Sequence, residues 1–217
     1  MLFIHIKWYN KVIIILWEGQ TVKINPMIIE GNWKEGYTLD YFMTESNYKG
    51  EDIFGYPIFD VKYSEIGKAM NELKYHKEYD KAAEIAKVVA KFIREEWKIE
   101  DKIDGIIATP PTYQREIQPL FQIVKHVGET LKKPISLDFF RKLNSEELKR
   151  LPQEKKIELF KNSIIKERKL TKRGSVLVID DIFSTGATLR NLCELLKDDI
   201  YVDDIYVLTI CKNIKSK

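Results

Sequence analysis

The chain of 217 residues has little cysteine and little histidine. Its two cysteines, Cys193 and Cys211, form no CxxC pair, which argues against a cysteine zinc site. They fall on an expected helix and an expected strand, where reduced core cysteines belong. His5, His76 and His126 are scattered, with no acid or cysteine at ligand spacing. There is no serine nucleophile elbow and no Walker lysine. Charge of one sign is also missing. Lys+Arg 36 against Asp+Glu 33 leaves +3, too weak a bias to indicate nucleic acid directly. No apolar run approaches the length of a membrane span, and Val12 to Trp17 is far too short. Lys7 and Lys11 interrupt the N-terminal stretch and no small-residue cleavage site follows, so no secretory signal is expected and a cytoplasmic location is. What remains is a hydrophobic content of 44% with 12% aromatics, enough for a sizeable core. The length suits one domain with an elaboration, or one domain and a small extra module.

The informative stretch is Val176-Leu177-Val178-Ile179-Asp180-Asp181-Ile182-Phe183-Ser184-Thr185-Gly186-Ala187-Thr188. Its apolar run reads as a buried strand of a parallel sheet. Leu189, Leu192, Cys193 and Leu196 recur at helical spacing, so a helix starts near Ala187. A strand, a tight turn and a helix N-terminus together make an anion site. Turn amides point at the ligand and the helix dipole favours negative charge. Gly186 permits a backbone that other residues resist, and Ser184, Thr185 and Thr188 add hydroxyls. Asp180 and Asp181 would repel a phosphate at close range. Vicinal sugar hydroxyls, with a divalent cation nearby, suit two adjacent carboxylates better. The pattern therefore fits a sugar phosphate, with phosphate in the turn and ribose hydroxyls against the acids. The alternative is an ordinary strand-turn-helix with a capped N-terminus.

These thirteen residues resemble the phosphoribosyl-diphosphate signature of the type I phosphoribosyltransferases. The order of further segments is similar to the ComF-like branch, which is itself like the transferase half of amidophosphoribosyltransferase. Those segments are Leu73-Lys74-Tyr75, a long helix, Ile106 to Thr112, an amphipathic helix, Arg141-Lys142 and then the signature strand. The likeness covers roughly residues 71–211. It implies an α/β fold with a doubly wound, mainly parallel sheet. It also implies phosphoribosyl diphosphate and Mg²⁺ as ligands, with Asp180 and Asp181 at the ribose and metal, and Ser184, Thr185, Gly186, Ala187 and Thr188 at the 5′-phosphate. The implied reaction transfers a phosphoribosyl group to a nitrogen nucleophile and releases pyrophosphate. A non-catalytic protein that senses phosphoribosyl diphosphate or a nucleotide, acting in regulation or in DNA uptake or repair, is the other reading. A homodimer is compatible with either.

Strands alternating with helices independently point to a doubly wound sheet. Helical stripes are expected over 80–98, from Ile117 to Leu131, and over 187–197. Strands are expected over 103–108, 135–137, 176–180 and 205–211. Residues 145–162 read as a charged helix. Residues 2–9 and 12–18 read as a hairpin, and 31–63, rich in glycine and aromatics, as turns and short strands. Residues 1–70 are thus expected to form a β-rich module, which the resemblance implies is a hood, and 71–217 the core. Thr109-Pro110-Pro111-Thr112 follows a strand at the ligand-binding end, where one X-Pro bond is a candidate for cis. The resemblance makes Thr109, Thr112 and Arg115 candidates for pyrophosphate contacts. It also makes Arg141, with Lys149 and Arg150, candidates for the basic residues that close on the leaving group.

Overall fold

Apolar runs with no polar alternation become the middle of a sheet, because both of their faces must be covered. The computed structural model describes residues 13–17, 20–113, 115–143, 147 and 163–214. Its central sheet is built around β11 (Gly174–Phe183), flanked by β12 (Val202–Lys212) and β7 (Gly105–Ala108). Beyond β12 lie β4 (Glu35–Tyr41) and then β3 (Met27–Ile28); beyond β7 lies β8 (Ile135–Ser136). The order is β3-β4-β12-β11-β7-β8, parallel throughout except for the edge strand β3. The fold class is α/β, as expected.

Alternate side chains of the central strands supply two separate cores. Leu177, Ile179, Tyr206, Leu208 and Ile210 belong to one cluster of buried residues, with helices α1 (Glu65–Tyr75), α2 (Lys81–Lys91) and α3 (Pro119–Leu131). Val176, Val178, Ile205 and Val207 belong to the other. There they meet Leu189, Leu192, Cys193 and Leu196 of helix α4 (Ala187–Lys197). Phe139, Phe140 and Ile164 complete that layer, from around a small ribbon of β9 (Phe140–Lys142) and β10 (Ile164–Lys166). Each fully buried aliphatic side chain contributes about 1.5–3 kcal/mol, which is why the 3.6-residue stripes face inward. Burial pushes the Cys193 thiol up to about 12 and the Cys211 thiol higher still, as suits core cysteines.

Several expectations change. The helix expected over 80–98 is α-helical only to Lys91; Phe92–Trp97 form wider, π-helical turns. The widening brings Trp97 against Tyr37, with ring centroids 5.1 Å apart, and lets its indole N–H donate to Glu35. Within the segment 12–18, residues 13–17 pair forward with the chain that follows. β1 (Ile13–Trp17) forms a hairpin with β2 (Gln20–Ile24), while 2–9 lie outside the described residues. Most of the helix expected over 145–162 also lies outside them, as do Lys149 and Arg150. All described peptide bonds are trans, so the Pro110-Pro111 pair introduces no cis bond. The boundary expected at 70/71 coincides with no break in the sheet, because β4 pairs in parallel with β12 from Tyr206↔Glu35 to Lys212↔Tyr41. Helix α1 also spans that position.

From the end of β4 the chain runs into a long antiparallel ribbon of β5 (Met43–Glu51) and β6 (Pro57–Tyr63). It returns directly into α1, whose N-cap Ser64 accepts the Gly67 N–H at 2.9 Å and donates to the Tyr41 carbonyl at 2.5 Å. The approach is so close that a Cβ on Gly67 would meet the Phe42 carbonyl oxygen at 2.1 Å. Glycine at this interior helix position is therefore required by packing and not by conformation.

Candidate functional site

Parallel strands place their carboxyl ends on one edge, and ligands in such sheets bind there. Here that edge carries Thr109 after β7 and Asp180 and Asp181 near the end of β11. The Thr109 N–H donates to the Ile179 carbonyl at 3.1 Å, extending the strand pairing by one residue. Its hydroxyl then donates to Asp180 Oδ1 at 2.6 Å, and the Asp181 N–H donates to the same oxygen at 2.9 Å. The two expected segments thus meet through a charge-assisted hydrogen bond.

A residue with no expected site role completes the group. Lys74, on the last turn of α1, donates from Nζ to Asp181 Oδ2 at 2.6 Å. Both side chains are largely buried, at 14% and 30% exposure. Arg115 Nη1 donates to the Lys74 carbonyl at 3.0 Å, joining the loop after β7 to the end of α1. Between them lies a cleft of about 270 Å³, lined by both acids, by Lys74 and Tyr75, and by Thr109 to Tyr113 with Arg115. Thr109, Thr112 and Arg115 are therefore brought together with Asp180 and Asp181, as the sequence suggested.

Burial, and then the negative charge of Asp181, push the Asp180 carboxyl up to about 7; the Thr109 hydroxyl, the Asp181 amide and the Lys74 ammonium act in the opposite sense. Between about pH 4 and 7 the folded state therefore holds a proton that the unfolded chain releases. The expected result is that this group's stabilising contribution is greatest at the low end of that window and is lost as pH rises through about 7. Thermal melts across the window should show this trend, and Asp180→Asn should flatten it. An equal slope in the variant would assign the dependence to another group.

The hydroxyl turn is built as the pattern implied. Gly186 has φ +76° and stands at the N-cap of α4, with no side-chain cap. The Ala187 N–H reaches Thr185 Oγ1 at 3.3 Å. The other first-turn amides have no partner inside the helix, which leaves them available to an anion. Arg190 fixes the turn from behind. Its guanidinium donates to the Thr185 carbonyl at 2.7 Å and to the Glu30 carbonyl at 3.4 Å. Ser184 to Thr188 do not line the cleft at Asp180; they lie beyond Phe183, farther along the same strand-turn-helix. A Cβ on Gly186 would meet the Phe183 ring at 2.8 Å. Gly186→Ala should therefore cost about 2 kcal/mol, from left-handed strain and crowding, and lower the melting temperature by roughly 4–8 °C. An unchanged melt would mean that the turn relaxes freely.

Arg141 is not brought to the cleft. It lies exposed on β9, where Nη1 pairs with Glu147 and Nε with Glu167, each at 2.7 Å. Its charge is already matched by two carboxylates; the Glu167 pair follows from the β9–β10 pairing, which a local reading of Arg141-Lys142 does not contain. A further acid was also missed. Asp40, next to last in β4, is in register with Cys211, and burial raises its carboxyl despite bonds from the Tyr41 and Asn25 N–H groups.

No protein-family model matches the chain, and no curated protein sequence does. Solved structures do align with it. Adenine phosphoribosyltransferase from Saccharomyces cerevisiae, in complex with an imino-altritol bisphosphate and adenine, is 17% identical over 76% of this chain and 83% of its own, with TM-score 0.37. Orotate phosphoribosyltransferase from Aeropyrum pernix is 13% identical over 76% and 73%, with TM-score 0.36. A protein from Neisseria gonorrhoeae with bound ppGpp is 18% identical over 64% and 71%, with TM-score 0.39. Likeness at this level is too slight to assign an activity, which has to be argued from the residues of the site.

Proposed function

We propose that this protein is a type I phosphoribosyltransferase of the ComF-like, amidophosphoribosyltransferase-like kind. It binds phosphoribosyl diphosphate and transfers the 5-phosphoribosyl group to a nitrogen nucleophile, releasing pyrophosphate. The observation that carries the reading is the convergence of Thr109, Asp180 and Asp181 at one sheet edge, directly before a glycine-hydroxyl turn at a helix N-terminus. Neither packing nor capping requires two acids followed by such a turn. They match one ligand that has both vicinal hydroxyls and a phosphate.

In this reading the 184–188 turn holds the 5′-phosphate with its amides and hydroxyls. Asp180 and Asp181 accept from the ribose hydroxyls and stabilise the positive charge that develops on the ring as pyrophosphate departs. Thr109, Thr112 and Arg115 hold pyrophosphate oxygens. The donor set suits Mg²⁺ shared with the substrate. Asp181 already holds one cation, the Lys74 ammonium, and magnesium commonly takes one or two carboxylates, with the rest from substrate and water. Among the described residues no third acid, histidine or cysteine completes an all-protein site. The ion would offset negative charge on the leaving group. A binding protein without turnover is favoured by one observation, the engagement of Arg141 by Glu147 and Glu167 away from the cleft.

One experiment separates these. The full chain is incubated with phosphoribosyl diphosphate, Mg²⁺ and a panel of nucleobases and amines, and pyrophosphate release is measured beside calorimetric binding. Acceptor-dependent release is the expected result. Tight binding without release for any acceptor would favour the sensor. Absence of binding would sink both. A ribose 5-phosphate soak should place the phosphate on the 184–188 amides; phosphate elsewhere, with the turn empty, would reject that part of the assignment.

A further inference from the structure

The β5–β6 ribbon stands apart from the two cores. Its base is held by the edge-to-face packing of Phe42 and Tyr63, with centroids 5.4 Å apart, and by the Ser64 cap. Beyond the base, no third strand pairs with it among the described residues. An isolated two-stranded hairpin is at best marginally stable in water, and its open edges invite pairing.

The ribbon is also two-faced. The register puts Glu45 opposite Lys62 and Asn47 opposite Asp60, and the charges on that side pair among themselves: Lys62–Glu45 at 2.8 Å and Lys49–Asp60 at 3.9 Å. The other face sets Tyr48 against Phe59, with ring centroids 5.8 Å apart. At the tip, Asp52 Oδ1 accepts the Phe54 and Tyr56 N–H groups at 2.8 and 2.9 Å, so the turn presents Ile53, Phe54 and Tyr56 in a fixed arrangement. These are strongly exposed: Ile53 92%, Phe54 77%, Tyr56 68%, Tyr48 58% and Phe59 51%.

We propose that the ribbon is a self-association surface, occupied by the ribbon of a second copy of this chain about a two-fold axis. Area supports this occupant. At about 200 Å² for a fully exposed side chain of this size, these five with Tyr63 leave roughly 760 Å² uncovered. That matches the ~800 Å² each partner gives in a stable complex and exceeds the usual largest patch on a monomer. Charge supports it as well. The ribbon's lysines are already paired, leaving nothing basic to attract a nucleic acid or an anionic membrane. An apolar face backed by an internally neutralised one is self-complementary, as an isologous interface requires.

The test is sedimentation of the full chain over a concentration series, for wild type, for Phe54→Ser with Phe59→Ser, and for the tip variant Tyr56→Glu. Wild type should sediment at twice the chain mass. The double variant should sediment as a single chain with an unchanged circular dichroism spectrum. Tyr56→Glu lies outside the strands, so it reports even if the double variant fails to fold; it should raise the dissociation constant at least about tenfold. A wild type that stays single at every concentration would overturn the proposal. So would a dimer unaffected by Tyr56→Glu, or single chains that float with zwitterionic lipid vesicles.

Discussion

Asp180→Asn combined with Asp181→Asn should weaken phosphoribosyl-diphosphate binding in Mg²⁺ at least about a hundredfold while leaving the fold intact. Each carboxylate replaced removes charge-assisted hydrogen bonds to ribose hydroxyls, worth roughly 1.5–3 kcal/mol apiece, and ~1.4 kcal/mol is tenfold. Stability should change little because two effects oppose. The pair loses the Lys74 contact at 2.6 Å, but it also loses the repulsion and burial that raise the Asp180 carboxyl. Lys74, freed of its partner, has a flexible stem with which to reach solvent. Calorimetric titration and ligand-free melts of both proteins make the comparison. Equal affinities would remove the acids from the ribose and the transferase reading with them. A collapsed melt would instead make the carboxylates part of the scaffold.

Lys74→Met, in contrast, should lower stability. It keeps both acids and removes the cation between α1 and Asp181, leaving a largely buried carboxylate unpaired beside another. The loss should be about 1–3 kcal/mol, below the 3–5 kcal/mol of a fully buried pair because Asp181 keeps some solvent contact. At roughly 2–4 °C per kcal/mol for a chain of this size, the melt should fall several degrees. The Asp180 carboxyl should rise further, because the lysine's charge is one of the influences holding it down. A double-mutant cycle with Asp181→Asn isolates the pair: the coupling should account for most of the loss. Additive effects would show that Lys74 acts through packing alone.

What was legible in the sequence was whatever is local. Val176 to Ile179 is apolar because both sheet faces are covered, and Leu189, Leu192, Cys193 and Leu196 mark one stripe of α4; neither needs a distant partner to be recognised. Thr109 could be placed beside Asp180 because parallel strands put their carboxyl ends together. The Lys74–Asp181 pair spans 107 residues of sequence and carries no local signal. β4 reads as part of a hood because the glycine- and aromatic-rich composition of 31–63 suits turns and short strands. Its place in the sheet depends on pairing with β12, some 170 residues later. Helix α1 had a readable stripe in Ile66, Met70 and Leu73, weakened by Gly67, which the Phe42 carbonyl requires. Arg141 is the opposite case: its residue type suits a leaving-group role, but its pair with Glu167, set by the β9–β10 register, holds it elsewhere.

Helix α1 is held at both ends. Ser64 fastens its first turn to the root of the β5–β6 ribbon, and Lys74 fastens its last turn to Asp181. At 1.5 Å per residue its 11 residues make a strut of about 16 Å, too short and too well packed to bend. Ribbon and acids are therefore tied to the two ends of one rigid body. Should an occupant of the ribbon shift α1 and so change the affinity at the acids by some factor, reciprocity fixes the other direction. A ligand at the acids must change the ribbon's affinity for its occupant by that same factor.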